Sequence, residues 1–224
     1  MYHSLDSLYM SILHAAFPEN ETNAEDEAMI RSVLGAVVLA TNPLSPSTIT
    51  TLMGFEHDEV VALLESIQSL LALHNDIDHP IQPFHKSFPD FITDSSRCVN
   101  TRFYISPNYH HLELALNCLR LMDKSLKKNL CSIPDYTLNS NVDDLPERIK
   151  RSGIHGALEY ACRSWYRHLI GTTDWTTDVT AALHCLLEEK FLFWLEVLSI
   201  VGAVGDAAHA LTATLEWLNK VRLY

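Results

Sequence analysis

Glycine is scarce in this chain, seven residues in 224, and none of the seven is followed by lysine. That excludes a G-x-x-x-x-G-K-(Ser/Thr) loop, whose backbone N–H groups and lysine cradle a triphosphate and whose hydroxyl helps to hold Mg2+. Hydrolysis of a nucleoside triphosphate by this chain alone is therefore not expected. Cationic residues are also few: 16 Lys plus Arg stand against 28 Asp plus Glu, a formal net charge of -12. This is the wrong sign for general attraction to nucleic-acid backbones or anionic lipid. The five cysteines, Cys98, Cys118, Cys131, Cys162 and Cys185, contain no C-x-x-C pair, and their odd number leaves at least one thiol unpaired in any disulfide scheme. A reducing, cytoplasmic compartment is the simpler expectation. Met1-Tyr2-His3-Ser4-Leu5-Asp6 has neither the basic start nor the apolar run of a secretory signal. The most apolar stretch, Phe191 to Val204, is broken by Glu196 and falls short of the roughly 20 residues that cross a bilayer, so no membrane partner is expected.

What is present is material for a core. Hydrophobic residues make up 47% of the chain and charged ones 20%, enough apolar surface for one packed domain or two small ones. Apolar positions recur at helical spacing along most of the chain, which predicts a mainly α protein. Leu5, Leu8, Tyr9, Ile12 and Leu13 read as the buried face of a first helix, and Met29, Ile30, Val33, Leu34, Val37 and Val38 as that of a second. Ser45-Pro46 is an N-cap followed by a proline in the first turn, so a short helix should run through Leu52 and stop near Gly54. Another should start near Asp58 and face Val60, Leu63, Leu64, Ile67 and Leu70 inward. Leu71 to Leu73, a polar tip from Asp76 to Pro80, and Ile81 to His85 read as a small β-hairpin. Three helices and such a wing predict a winged-helix domain over residues 24–95, preceded by a linker helix in 1–23. Residues 96–224 are expected to form an α-helical bundle or short α-solenoid. Ser106-Pro107 should open a helix through Leu126, and further helices should cover about Pro146 to Leu169, Thr177 to Leu187, Phe191 to Val201 and Ala207 to Leu223, with Cys131 to Pro146 as the internal linker.

The segment Gln82-Pro83-Phe84-His85-Lys86-Ser87-Phe88-Pro89-Asp90-Phe91, followed by Arg97-Cys98, resembles the end of the winged-helix module in fungal NACHT-type signal-transduction ATPases. There an aromatic or aliphatic residue and His precede Ser-Phe-x-(Asp/Glu)-Phe. Leu34-Gly35-Ala36-Val37-Val38-Leu39 with Asn42-Pro43-Leu44 resembles the first helix of that module, and Leu5-Asp6-x-Leu8-Tyr9-x-x-Ile12-Leu13 the helix that joins it to the ATPase core. Leu158-x-Tyr160-Ala161-Cys162-x-x-Trp165 and Phe191-x-Phe193-Trp194-Leu195-Glu196 are similar to the helical region that follows. The resemblance implies that His85 senses a nucleotide held by an upstream core, with Phe84, Ser87, Phe88, Asp90, Phe91 and Arg97 in support. It implies a non-catalytic regulatory segment that couples nucleotide state to a helical arm. No cofactor is implied for the chain itself, and ADP or ATP only with an upstream NACHT core. Partners would be proteins, such as an ATPase module or a repeat-containing chain. A stand-alone protein-interaction adaptor is the alternative.

Each candidate also has a plainer role. His85 is expected to cap Ser87 or a backbone carbonyl, Phe84, Phe88 and Phe91 to fill the core, and Arg97 to pair with Asp90 or Asp94, a phosphate being its other possible partner. His85, Ser87 and Asp90 hold the residue types of a hydrolase triad, but no G-x-S-x-G elbow accompanies them, so catalysis is not expected. His74, His79 and His85 span a turn and His110-His111 are adjacent, spacings that do not offer an i, i+4 pair to one metal ion. His14, His155, His168, His184 and His209 read as isolated. Residues 58–71 contain no Lys or Arg, which disfavours that helix as a reader of DNA. Lys124, Lys127 and Lys128 read as a solvated helix end. Trp165, Tyr166, Trp175, Trp194 and Trp217 are expected in the core rather than on an interaction surface.

Overall fold

The structure, a computed structural model, describes residues 3–74, 76–154 and 156–221. It is mainly α-helical with one small two-stranded sheet. The chain divides into two compact units, Met1–His110 and His111–Tyr224. His155 and Leu223, which figured in the sequence reading, lie outside the described residues.

In the first unit, α1 (His3–Ala16) precedes α2 (Ala24–Leu39), α3 (Pro46–Met53) and α4 (His57–Ser66). Local chemistry sets their ends. The Asn23 side chain accepts from the Glu25 and Asp26 amides at 2.8 and 3.0 Å, while Asp26 accepts from the Asn23 amide at 2.9 Å, which closes a capping box on α2. Ser45 Oγ accepts from the Thr48 amide at 3.2 Å to start α3, and Gly54, at φ 74°, ends it in the left-handed region. Val60, Leu63 and Leu64 are buried, as the periodicity of α4 predicts, whereas Ile67 and Leu70, buried too, lie in the turn after the helix ends at Ser66. Gly35 has a different task. A Cβ there would lie 2.7 Å from His110 Cδ2, so only glycine lets the buried His110 ring rest on α2.

The hairpin is shorter than the alternation suggests. Strand β1 (Leu71–Ala72) pairs antiparallel with β2 (Gln82–Pro83), Leu71 opposite Pro83 and Ala72 opposite Gln82. Its tip folds back on the start of α3: Ser47 N–H donates to Ile77 O at 3.2 Å, Ser47 Oγ to Asp78 at 2.6 Å, and Ile81 N–H to Leu44 O at 2.8 Å. Helix α5 (Ser87–Ile92) follows directly.

Helix α1 corrects its sequence reading. Its buried residues are Tyr9 and Leu13, continued by Phe17 just past its end, whereas Leu5 and Leu8 are 38% and 52% exposed. Asp6 occupies the inward position one turn before Tyr9, and a carboxylate there is stable because Arg97 meets it at 2.6 Å.

Helix α6 (Pro107–Ser125) passes from the first unit into the second. The second unit continues with α7 (Leu145–Ser152), α8 (Ala157–Ile170), α9 (Thr177–His184), α10 (Phe191–Ile200) and α11 (Gly205–Val221). Its core holds Trp165 and Trp194, both fully buried and edge to face with centroids 5.9 Å apart. Trp194 Nε1–H donates to Cys162 O at 2.9 Å, and Trp217 Nε1–H to Thr172 O at 2.6 Å. Trp175 departs from the core expectation: it is 40% exposed and stacks on Trp217.

The loop after Cys131 is held within the second unit, where Asn129 Oδ1 accepts from the Ile133 amide at 2.7 Å and Arg148 donates to Ser132 O at 2.6 Å. A helix boundary differs from the sequence reading. The two helices expected around residues 188–190 are one helical run, joined by a π-helical segment, Cys185–Lys190. Glu188 and Glu189 are exposed and Lys190 is half-buried, all three good helix formers rather than a stop signal. The wider turn is anchored on α6: Cys185 Sγ lies 3.1 Å from Asp123 Oδ1, and Lys190 donates to Leu126 O at 3.2 Å. No helix among the described residues is long and apolar enough to cross a membrane.

Candidate functional site

The end of β2 and the start of α5 bring together the most specific cluster of the first unit. Phe84 N–H donates to Leu70 O at 3.0 Å and keeps the backbone on the sheet up to that point. The chain then turns into α5, whose first residues, as in any helix start, have no intrahelical acceptor for their amides. His85 supplies one. Its Nδ1 accepts from the Ser87 backbone N–H at 3.1 Å and lies 2.7 Å from Ser87 Oγ. The same Oγ lies 2.6 Å from the Tyr9 hydroxyl on α1, so three side chains form one line of hydrogen bonds.

Burial falls along that line. Tyr9 and Ser87 are 6% and 5% exposed, whereas His85 is exposed and its Nε2 takes no hydrogen bond among the described residues. Phe88 and Phe91 are buried against the Tyr9 ring, with centroids 5.4 and 5.6 Å away. Phe84 is not a core residue: it is 66% exposed. Alternation along the strand turns Ile81 inward and Phe84 outward. Asp90 is exposed, and its carboxylate makes no hydrogen bond to His85 among the described residues. Of the residue types of a hydrolase triad, His85 and Ser87 are thus joined but Asp90 is not, and the serine oxygen is sealed beneath Tyr9.

Arg97 corrects a second expectation. Its principal partner is Asp6 of α1, gripped at 2.6 and 3.2 Å by two guanidinium nitrogens, rather than Asp90 or Asp94. The hydrogen bond from Arg97 stabilises its charged form and raises its pKa. Asp94 is occupied elsewhere: the Ser96 hydroxyl and amide donate to it at 2.6 and 2.8 Å and hold its carboxyl below the usual range. Helix α1 is therefore fastened to residues 85–97 twice, through Tyr9 and through Asp6.

Elsewhere the chemistry is mostly structural. The exposed side chains of α4 include Asp58, Glu59 and Glu65, an outer face that repels phosphate. The His74 and His79 rings lie 3.7 Å apart at the hairpin tip, but no group of three His, Cys, Asp or Glu side chains among the described residues converges as metal ligands. All five thiols are free and four are buried, and burial pushes Cys98 up to about 11. Two open clefts of about 290 and 300 Å3 lie in the second unit, around Arg148 and Tyr136, and neither includes His85.

Sequence reasoning missed Tyr9 and Asp6 as partners of the His85 segment, and it missed one buried histidine network. His168, read as isolated, is fully buried, with its Nδ1 3.0 Å from His111 Nδ1 and its Nε2 2.7 Å from the Tyr160 hydroxyl. The available signal was the inward helical spacing of Tyr160, Trp165 and His168 on α8. Comparison of the chain with protein-family models, with curated proteins and with solved structures finds no match.

Proposed function

We propose that this chain is the winged-helix and helical-arm segment of a NACHT-type signal-transduction ATPase, non-catalytic in itself. In that reading α2, α3, α4 and the hairpin form the winged helix, and His85 contacts the terminal phosphate of a diphosphate bound in a separate ATPase core. Exchange for triphosphate breaks the contact and lets the segment move, a two-state switch biased by its ligand. The observation that carries it is His85 itself: an exposed imidazole, fixed at Nδ1 by Ser87, with its other edge open.

A protein-interaction adaptor is the second reading. It is favoured by Leu211 and Leu215, one turn apart on α11 and 36% and 60% exposed, an apolar stripe suited to a protein partner. In both readings the partners are proteins and the acidic outer face of α4 disfavours nucleic acid.

Isothermal titration of the isolated chain tests where the phosphate site lies. With no phosphate-cradling loop in the chain, neither ADP nor ATP is expected to give binding heat up to millimolar concentration. Micromolar binding that disappears in His85→Ala would place a complete site within this chain and overturn the reading.

A further inference from the structure

The hydrogen-bond geometry fixes where the protons lie, and that assigns a role to Tyr9. The Ser87 backbone N–H is an obligate donor, and it points at His85 Nδ1 from 3.1 Å. Nδ1 therefore presents its lone pair, and the neutral imidazole carries its proton on Nε2. In the 2.7 Å contact between Ser87 Oγ and Nδ1, the hydroxyl must then be the donor. Its single proton is spent there, so in the 2.6 Å contact with Tyr9 the phenol donates and Ser87 accepts. One direction of donation runs from Tyr9 through Ser87 to His85.

We propose that Tyr9 is a positioning residue for His85: through Ser87, helix α1 holds the imidazole with Nδ1 inward and Nε2–H outward. This inference rests on the reading of His85 as the phosphate-sensing group and names what sets it. An outward N–H recognises an anionic acceptor such as a phosphate oxygen, not a metal ion, which requires a bare nitrogen lone pair. Because Asp6, one turn away on the same helix, is held by Arg97 at 2.6 Å, α1 and the sensor segment are joined at a second point beside the Tyr9 contact. Withdrawal of α1 removes the Tyr9 proton from Ser87. The serine oxygen is then free to accept as well as to donate, and the opposite tautomer becomes accessible at His85.

The test is the tautomer of His85, read from long-range 1H–15N correlations of the full chain at pH 8.5 without nucleotide. The wild-type chain is expected to show a bare Nδ1 and a protonated Nε2. In Tyr9→Phe, whose ring still packs on Phe88 and Phe91, the share of the Nδ1–H form should rise about fivefold, the weight of one ordinary hydrogen bond. Ser87→Ala provides a second variant: it removes the oxygen to which an Nδ1–H would donate and keeps the residue 87 backbone N–H that donates to Nδ1, so the bare-Nδ1 form should persist. A wild-type Nδ1–H form, a tautomer share unchanged in Tyr9→Phe, or a rise in Ser87→Ala equal to that in Tyr9→Phe would overturn the proposal. Nucleotide plays no part in this experiment, so positioning can fail while phosphate sensing stands, and the reverse.

Discussion

Lowering the pH from 7 to 4 is expected to remove about 3 kcal/mol of stability through His168 alone. Burial, followed by the neighbouring His111, depresses His168 to about 3 from its ordinary 6.5. Its position in the last turn of α8 would favour a positive charge by about 0.3–1 kcal/mol through the helix dipole. Desolvation of a fully buried ring outweighs that. Between 6.5 and about 3 the unfolded chain binds a proton that the folded chain refuses, so the contribution is intact above 6.5 and falls as pH drops. The loss is about 1.4 kcal/mol per pH unit. Asp94 and Asp144 are held below the usual carboxylate value of 3.8, by Ser96 and Arg148 respectively, and their contributions are lost in a lower window. Denaturant midpoints measured from pH 7 to pH 4 should therefore decline once the pH falls below about 6.5, and His168→Gln should flatten the decline. A midpoint constant to pH 4, or a slope unaltered in His168→Gln, would refute the assignment.

Arg102→Ala should destabilise the first unit by about 3 kcal/mol. The Arg102 side chain is 11% exposed and ties three segments together. Nε donates to Glu27 at 2.6 Å on α2, and Nη2 donates to Phe17 O at 3.2 Å and to Thr22 Oγ1 at 2.5 Å. The guanidinium also lies 5.1 Å from the Phe103 ring centre. The ion pair with Glu19, at 3.7 Å to a side chain 73% exposed, adds little. Truncation leaves Glu27, 27% exposed, with only Arg31 at 3.8 Å. Lysine at the same position keeps the charge but not the fork, so Arg102→Lys should recover less than half of the loss. Thermal unfolding followed by circular dichroism should show Arg102→Ala lower by roughly 10 °C. A fall within experimental error, or full rescue by lysine, would show that the residue is not a staple.

The parts legible in the sequence are those whose causes are local. Ser45-Pro46 and Gly54 bracket α3 because a cap and a left-handed stop act within one turn of the chain. The stripe of Val60, Leu63 and Leu64 fixes the inward face of α4 for the same reason. His85 and Ser87 could be paired by eye, being two residues apart. Tyr9 could not, since 78 residues separate it from Ser87, nor could the partners of Arg97, 91 residues from Asp6, or of His111, 57 residues from His168. Local reasoning gives Arg97 the nearest carboxylates, and the fold supplies a distant one with a better fork. Phe84 shows the other limit: hydrophobicity suggests the core, and strand alternation, which depends on register, turns it out.

ADP dissociation from a protein that joins a P-loop core to this segment tests His85 most directly. With the chain in place, His85→Ala should speed ADP release by roughly 10-fold or more, the weight of a hydrogen bond to a charged phosphate, while a Lys86→Ala control should leave it nearly unchanged. Equal release rates for wild type and His85→Ala would show that the imidazole does not read the nucleotide.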